Sequence, residues 1–196
     1  MSEWWTYRLS DFLMFSPAAY WRLVERYNRE HWPLHVFMLG AGLLLLWLAA
    51  KRQPVARRAV AGGLAVIWSW VGWAFHKQAY AQINLAAEYF AAAFAVQAVL
   101  LLVFGVILPG DRHAHYWGRL IGWALAVLGL LFYPLITPLA GRPWDHVEVF
   151  GVMPEPTALA TLGLLLATLG FRRFWLGIIP LLSWVTGVTT VWLLSS

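Results

Sequence analysis

The residues best able to do chemistry begin with FHKQAYAQINLAAEYF, Phe75 to Phe90. That stretch gathers His76, Lys77, Gln78, Gln82, Asn84 and Glu88 in a chain with little polarity to spare. If one helix runs through it from about Gln78, then His76, Tyr80, Asn84 and Glu88 recur at every fourth residue and share one slowly drifting face. If the helix starts at Ala86 instead, Glu88 lies in its first turn, where a carboxylate is favoured by the helix dipole and stays wet. A carboxylate inside a bilayer is costly and is functional by default, so the depth of Glu88 decides its meaning. A second group is WDHVE, with Asp145, His146 and Glu148 inside four residues, and His31 and His35 lie one helical turn apart.

Imidazole and carboxylate suit divalent transition metals and proton relays alike. The metal-ligand candidates are therefore His76, Glu88, Asp145, His146 and Glu148, with DRHAH (Asp111 to His115) a second cluster. No HExxH-type signature accompanies them, and polar residues at headgroup level in short external loops explain them equally simply. The sequence requires no cofactor. A third feature is PEPTALATLG. Pro154 and Pro156 interrupt any helix arriving from the loop, and Pro156 suits a first helical position. The free N–H groups there would favour an anion, and discontinuous helices whose ends face a polar cavity are a transporter habit. Alternatively, the prolines merely mark a span end. Gln97 lies at mid-membrane wherever the boundaries fall, as interhelical glue or as cavity wall. The candidate solute pathway is Tyr80, Asn84, Glu88, Gln97 and Glu155.

The elements that must position these groups are apolar. The chain has 196 residues, 61% hydrophobic and 12% charged, and its mean hydropathy is +0.66. Soluble domains carry about 25% charged residues, so lipid is the natural solvent. Net charge is +5, but the basic residues flank apolar runs and form no single patch, which argues against nucleic acid as a partner. There is no cysteine, which removes disulfides, thiolate metal sites and cysteine nucleophiles. The N-terminal stretch MSEWWTYRLSDF has neither a basic region nor a continuous apolar core, so no cleaved leader is expected.

Six runs predict an all-α, polytopic bundle of six transmembrane helices, at about 33–50, 58–75, 86–108, 120–138, 157–171 and 174–194. The fifth is short, which predicts a short or broken helix. An N-terminal segment, 1–32, precedes the 33–196 domain. Within it Ser16 reads as an N-cap and Pro17 as the first helical residue, and Tyr20, Leu23, Val24 and Tyr27 follow the helical period. That amphipathic helix lies in the interface plane or covers the outer end of the bundle. Alternate loops hold eight Lys/Arg against two, with Arg112, Arg119, Arg172 and Arg173 among the eight. The bias places both termini in the periplasm of an inner membrane. Trp32, Trp47, Trp73, Trp117, Trp144 and Trp175 fall near span ends, and Trp68, Trp70 and Trp73 read as packing and interface anchors.

MSEWWTYRLSDFLMFSP at the start and VFGVMPEPTALATLGLLL at Val149 to Leu166 resemble a group of small bacterial multi-pass membrane proteins catalogued as a domain of unknown function. The resemblance runs the whole length and implies six spans, but it implies no activity and carries no functional residues. Two functions fit the residues best. One is a small transporter or channel-like protein for an ion, metal or polar solute, with an outward-facing polar vestibule. The other is a non-catalytic subunit or assembly factor of a larger membrane complex. No Ser/His, paired Asp or HExxH arrangement within the spans supports an enzyme. The partners expected are the bilayer and either further copies of the chain or a larger complex.

Overall fold

A computed structural model describes residues 14–51, 53–108, 116–169 and 175–195. DRHAH, Arg172, Arg173 and most of MSEWWTYRLSDFLMFSP lie outside those residues. Among the described residues the chain is almost entirely helical, with no strand.

Helix α1 (Pro17–Glu30) forms as its sequence predicts. Ser16 caps it by accepting from the Ala19 amide at 3.2 Å, Pro17 opens it, and Tyr20, Leu23, Val24 and Tyr27 form its buried face. Helix α2 (Trp32–Ala50) follows almost without a break. Helix α3 (Pro54–Val71) continues as a π-helical stretch, Gly72–Ala79, and a 3-10 turn, Tyr80–Gln82. Helix α4 (Ala87–Leu101) ends in π-helical Leu102–Ile107. Helix α5 (Tyr116–Val127) passes through π-helical Leu128–Phe132 into α6 (Tyr133–Leu139). Helix α7 (Pro154–Thr168) and helix α8 (Ile178–Ser195) complete the order.

Five of the helical runs are long and apolar enough to cross a membrane: Trp32–Ala50, Pro54–Gln82, Ala87–Ile107, Tyr116–Leu139 and Trp175–Leu194. The fifth predicted span corresponds to α7. At 15 residues it is roughly 22 Å long against about 30 Å of hydrocarbon. Nearly all of it is buried, so it is the core of the bundle and not part of its outer wall.

Several boundaries differ from expectation: the second run starts at Pro54 and not at 58, the fourth at Tyr116 and not at 120, and the fifth helix is Pro154–Thr168 and not 157–171. The second run ends at Gln82 and not at Phe75, so HKQAYAQ belongs to α3. Helix α4 begins at Ala87, and the single helix from Gln78 through Glu88 does not exist. The physical reason is α1. It packs across the polar end of α3, with Tyr27 edge-on to Phe75 at 5.4 Å and Tyr20 to Tyr80 at 6.3 Å. Burial supplied by α1 lets the helix continue beyond its apolar run.

The tightest seam is α5 against α7. The two run antiparallel, with Gly122 against Gly163 and Ala167, and Gly129 against Pro156 and Ala160. A Cβ on Gly122 would come within 2.5 Å of the Ala167 amide nitrogen, and one on Gly163 would overlap the Ala126 backbone. Small residues at these steps let the backbones touch. The same register puts the start of α7 beside the middle of Tyr116–Leu139. The chain entering α7 therefore dips into the bundle.

Candidate functional site

That entering segment, 147–153, is buried from end to end and is not helical. Irregular backbone at such a depth needs every polar group answered from within the protein. Asn28 of α1 donates to the carbonyls of Asp145 and Val147 at 2.8 and 2.9 Å, and the Tyr27 hydroxyl donates to that of Val152 at 3.3 Å. The Thr157 hydroxyl accepts from the Gly151 amide at 2.8 Å and donates to the Met153 carbonyl at 2.6 Å. Gly151 sits at φ 75°, a conformation open to glycine at little cost. The segment is thus built in, and α1 is its cover.

The segment delivers two carboxyl groups. Glu148 and Glu155 are each about 6% exposed. Burial first, and then the neighbouring Glu155 carboxylate, push the Glu148 carboxyl well above the usual carboxylate range, against the opposing pull of Arg142 and of the nearby Tyr133 hydroxyl. Glu155 occupies the first turn of α7. The helix start that was expected to hold an anion holds the chain's own. Glu155 also lies flat against α8, in a notch that exists because residue 187 is glycine: a Cβ there would overlap its carboxylate.

Beside Glu155 is a half-open cavity of about 340 Å³ between α4 and α8. His76, Tyr80, Phe90 and Phe94 form one wall, and Ser183, Thr186 and Thr190 form a hydroxyl stripe on the other. His76 comes from the π-helical stretch, whose wide turn is often found at functional positions. It is 5% exposed, and neither ring nitrogen has a hydrogen-bond partner. Its ring packs on Phe94 at 4.5 Å and Phe90 at 5.6 Å. An imidazole buried without a partner costs stability, which makes it the most unusual polar group in the molecule. Gly187 precedes Leu194 by seven residues, and His76 precedes Gln82 by six. By the helical rise both place the cavity roughly 10 Å inside the ends of the spans.

The candidates named from sequence separate. Tyr80 and Glu155 line the cavity together with His76. Glu88 does not. It is exposed in the first turn of α4, because the helix starts at Ala87. Asn84 caps the turn before it, accepting from the Ala86 amide at 2.9 Å. Gln97 is fully buried, is not among the residues that line the cavity, and donates to the Leu176 carbonyl at 2.9 Å. Glu88 and Gln97 therefore do not face each other across a pathway. Of the five residues of the expected pathway, Tyr80 and Glu155 line the cavity, and Asn84, Glu88 and Gln97 are not among its lining residues.

The metal candidates are likewise dispersed, and among the described residues no three His, Asp or Glu side chains converge to hold an ion. Asp145 lies 3.7 Å from Arg29, and His146 stacks on Trp21 at 5.0 Å. His31 and His35 serve the α1–α2 junction. Nδ1 of His31 meets the Tyr27 carbonyl at 2.9 Å, and Nε2 of His35 meets Asn28 Oδ1 at 3.1 Å.

Sequence reasoning missed the buried segment and the hydroxyl stripe. VEVFGVM is too apolar for a water-exposed loop, and that signal was available. Ser183, Thr186 and Thr190 follow a helical period in an otherwise apolar span and could also have been found.

The model of a family of unknown function, DUF6064, matches residues 17–195. The chain belongs to that family. The match takes in α1, the buried segment and the cavity, and begins beyond MSEWWTYRLSDF, so the first of the two stretches that carried the resemblance contributes almost nothing to it. No curated protein and no solved structure matches the chain.

Proposed function

We propose that this chain is a small membrane transporter of the inner membrane, with both termini in the periplasm, and that its substrate site is the cavity around His76 and Glu155. The observation that carries the reading is the pairing of two features at one place. A discontinuous helix begins inside the bundle, and beside its start lies a half-open cavity lined by an acid and by the ring of His76, whose buried nitrogens have no hydrogen-bond partner among the described residues. Buried ionisable groups in membrane proteins mark substrate and ion paths, and broken helices at such sites are the transporter arrangement. In this reading α1 lies at the outer interface, covers the re-entrant segment and closes the site from above. α7, though short, crosses the bundle as a sixth helix. An ion, a metal or a small polar solute enters through the gap between α4 and α8.

The accessory-subunit reading rests on a different observation. Leu85, Glu88 and Tyr89 are exposed together at the start of α4, as a docking patch would be. It leaves the unpartnered His76 without a role, so transport is preferred. Uptake of a panel of labelled cations, amines and neutral polar solutes into proteoliposomes tests it, with Glu155→Gln and His76→Phe as controls. Uptake of at least one solute that both variants abolish is expected. No uptake of any solute, together with stoichiometric co-purification of a membrane partner, removes the transport reading.

A further inference from the structure

The lining of the cavity specifies a ligand class. Aromatic rings dominate it: Phe75, Tyr80 and Phe90 are arranged with Phe75 stacked on Tyr80 at 5.6 Å and Tyr80 on Phe90 at 6.4 Å. No Lys or Arg is among the described residues that line it. Its ionisable groups are the Glu155 carboxyl and the His76 ring, whose nitrogens are buried in the wall. A carboxyl with no neighbouring cation in that lining, set among aromatic faces, is met by a positive ligand through direct pairing and cation–π contact, and such a ligand favours its ionised form. A doubly charged metal ion is not matched, since among the described residues no third ligand converges. A strongly hydrated inorganic ion would also gain little from so much apolar wall.

From this lining we infer that the cavity binds a lipophilic ammonium, a primary amine on an aromatic or aliphatic body. The ammonium donates to Glu155 and to the Thr186 hydroxyl. The body lies on Tyr80, Phe90 and Phe94. A volume of about 340 Å³ suits a ligand at the small end of the range for small-molecule sites. The gap between α4 and α8 admits it from the side. The inference deepens the transport reading and takes its site from it. The same chemistry is offered by a free amine and by the ethanolamine headgroup of a lipid.

Equilibrium binding of labelled phenethylammonium to the purified full-length protein tests the inference, with 2-phenylethanol as an uncharged competitor of similar size. Phenethylammonium is expected to bind roughly tenfold or more tightly than the alcohol, and Glu155→Gln is expected to remove that preference. Gly187→Ala, which pushes the carboxylate from its notch, is expected to weaken ammonium binding while the alcohol still competes. Glu88→Gln, outside the cavity, leaves binding unchanged. An unaltered unfolding midpoint and a single size-exclusion peak establish that each variant is folded. Equal binding of ammonium and alcohol, or undiminished ammonium binding by folded Glu155→Gln, overturns the inference.

The same assay in nanodiscs with and without phosphatidylethanolamine separates the two sources. Weaker binding when that lipid is present assigns the ammonium site to the headgroup, and equal binding assigns it to a free amine. Binding without uptake in proteoliposomes removes the transport reading and leaves the site standing. Uptake of another solute without ammonium binding does the reverse.

Discussion

Two seams of this bundle have opposite characters. Along α5 and α7, Gly122, Ala126 and Gly129 meet Ala160, Gly163 and Ala167, and the backbones are in contact. Along α4 and α8, Phe90 and Phe94 face Ser183, Thr186 and Thr190 across a cavity. The first seam is closed because nothing larger than a methyl group stands between the helices. The second stays open because rings prop α4 away from α8, and the exposed hydroxyls have little to gain from meeting an aromatic wall. A membrane bundle cannot rely on hydrophobic squeezing between its helices, so the side chains at each seam decide whether it closes. Helix α7 takes part in both, closing against α5 along its length and presenting Glu155 to the open seam at its start.

The largest expected effect comes from breaking the closed seam. Gly163→Leu forces a side chain into the Ala126 backbone and should cost more than about 3 kcal/mol, read as loss of monodisperse protein on size exclusion. Recovery of normal folded yield would show that the seam is looser than its geometry. Next in size is Thr157→Val, which strips partners from the buried Gly151 amide and the Met153 carbonyl. A loss of about 2 kcal/mol is expected, a fall of roughly 4–8 °C in the unfolding midpoint in detergent. No change would mean that the re-entrant segment is not held as described.

Glu148 gives the comparison a pH dependence. Its carboxyl is raised in the folded protein by burial and by Glu155. As pH climbs past the ordinary carboxylate range, the unfolded chain loses its proton while the folded one keeps it. Stability from this group is therefore complete at low pH and declines as pH rises toward the folded value. Thermal midpoints taken from pH 5 to pH 8 should fall, and Glu148→Gln should flatten the trend; an unchanged slope in that variant would refute the assignment.

At the open seam the sign reverses. His76→Phe replaces an unpartnered ring with an apolar one of similar shape, so stability should hold or rise by up to about 1 kcal/mol while uptake is lost. A clear loss of stability would show that His76 has a structural partner after all. The smallest effect is outside both seams. Nothing lies within 4 Å of a Cβ built on Gly40, and Gly40→Ala should be neutral or gain up to ~1 kcal/mol from helix propensity.

Much of this was legible in the residues. Ser16-Pro17 announces α1, and its apolar period names the buried face that the structure confirms. Of the six tryptophans expected at span ends, Trp32, Trp47, Trp73, Trp117 and Trp144 are exposed, whereas Trp175 is partly buried and packs edge-on to Phe104 at 4.6 Å, and Trp68 is fully buried and donates to Thr161 at 2.9 Å. Pro154 and Pro156 announced a helix start, which falls at Pro154 and not at Pro156, and its burial inside the fold was not read from them. The failures were of direction and depth. Glu88 was placed on a stripe with His76 by counting fours, but a π-helical stretch and a 3-10 turn intervene, and neither keeps the α-helical phase.

The sequence by itself determined the class: apolar runs of these lengths fold as helices, which pair their backbone groups within each segment, and five are long and apolar enough to cross a membrane. It also determined which steps could close, since glycine and alanine spacing is written in the chain. Only the tertiary structure decided that α7 lies at the core, that VEVFGVM is buried under α1, and that Glu155 and His76 meet at one cavity. Those outcomes depend on contacts between residues far apart in the chain, up to 125 positions between Tyr27 and Val152, and helical periodicity carries no information about a neighbour that far along.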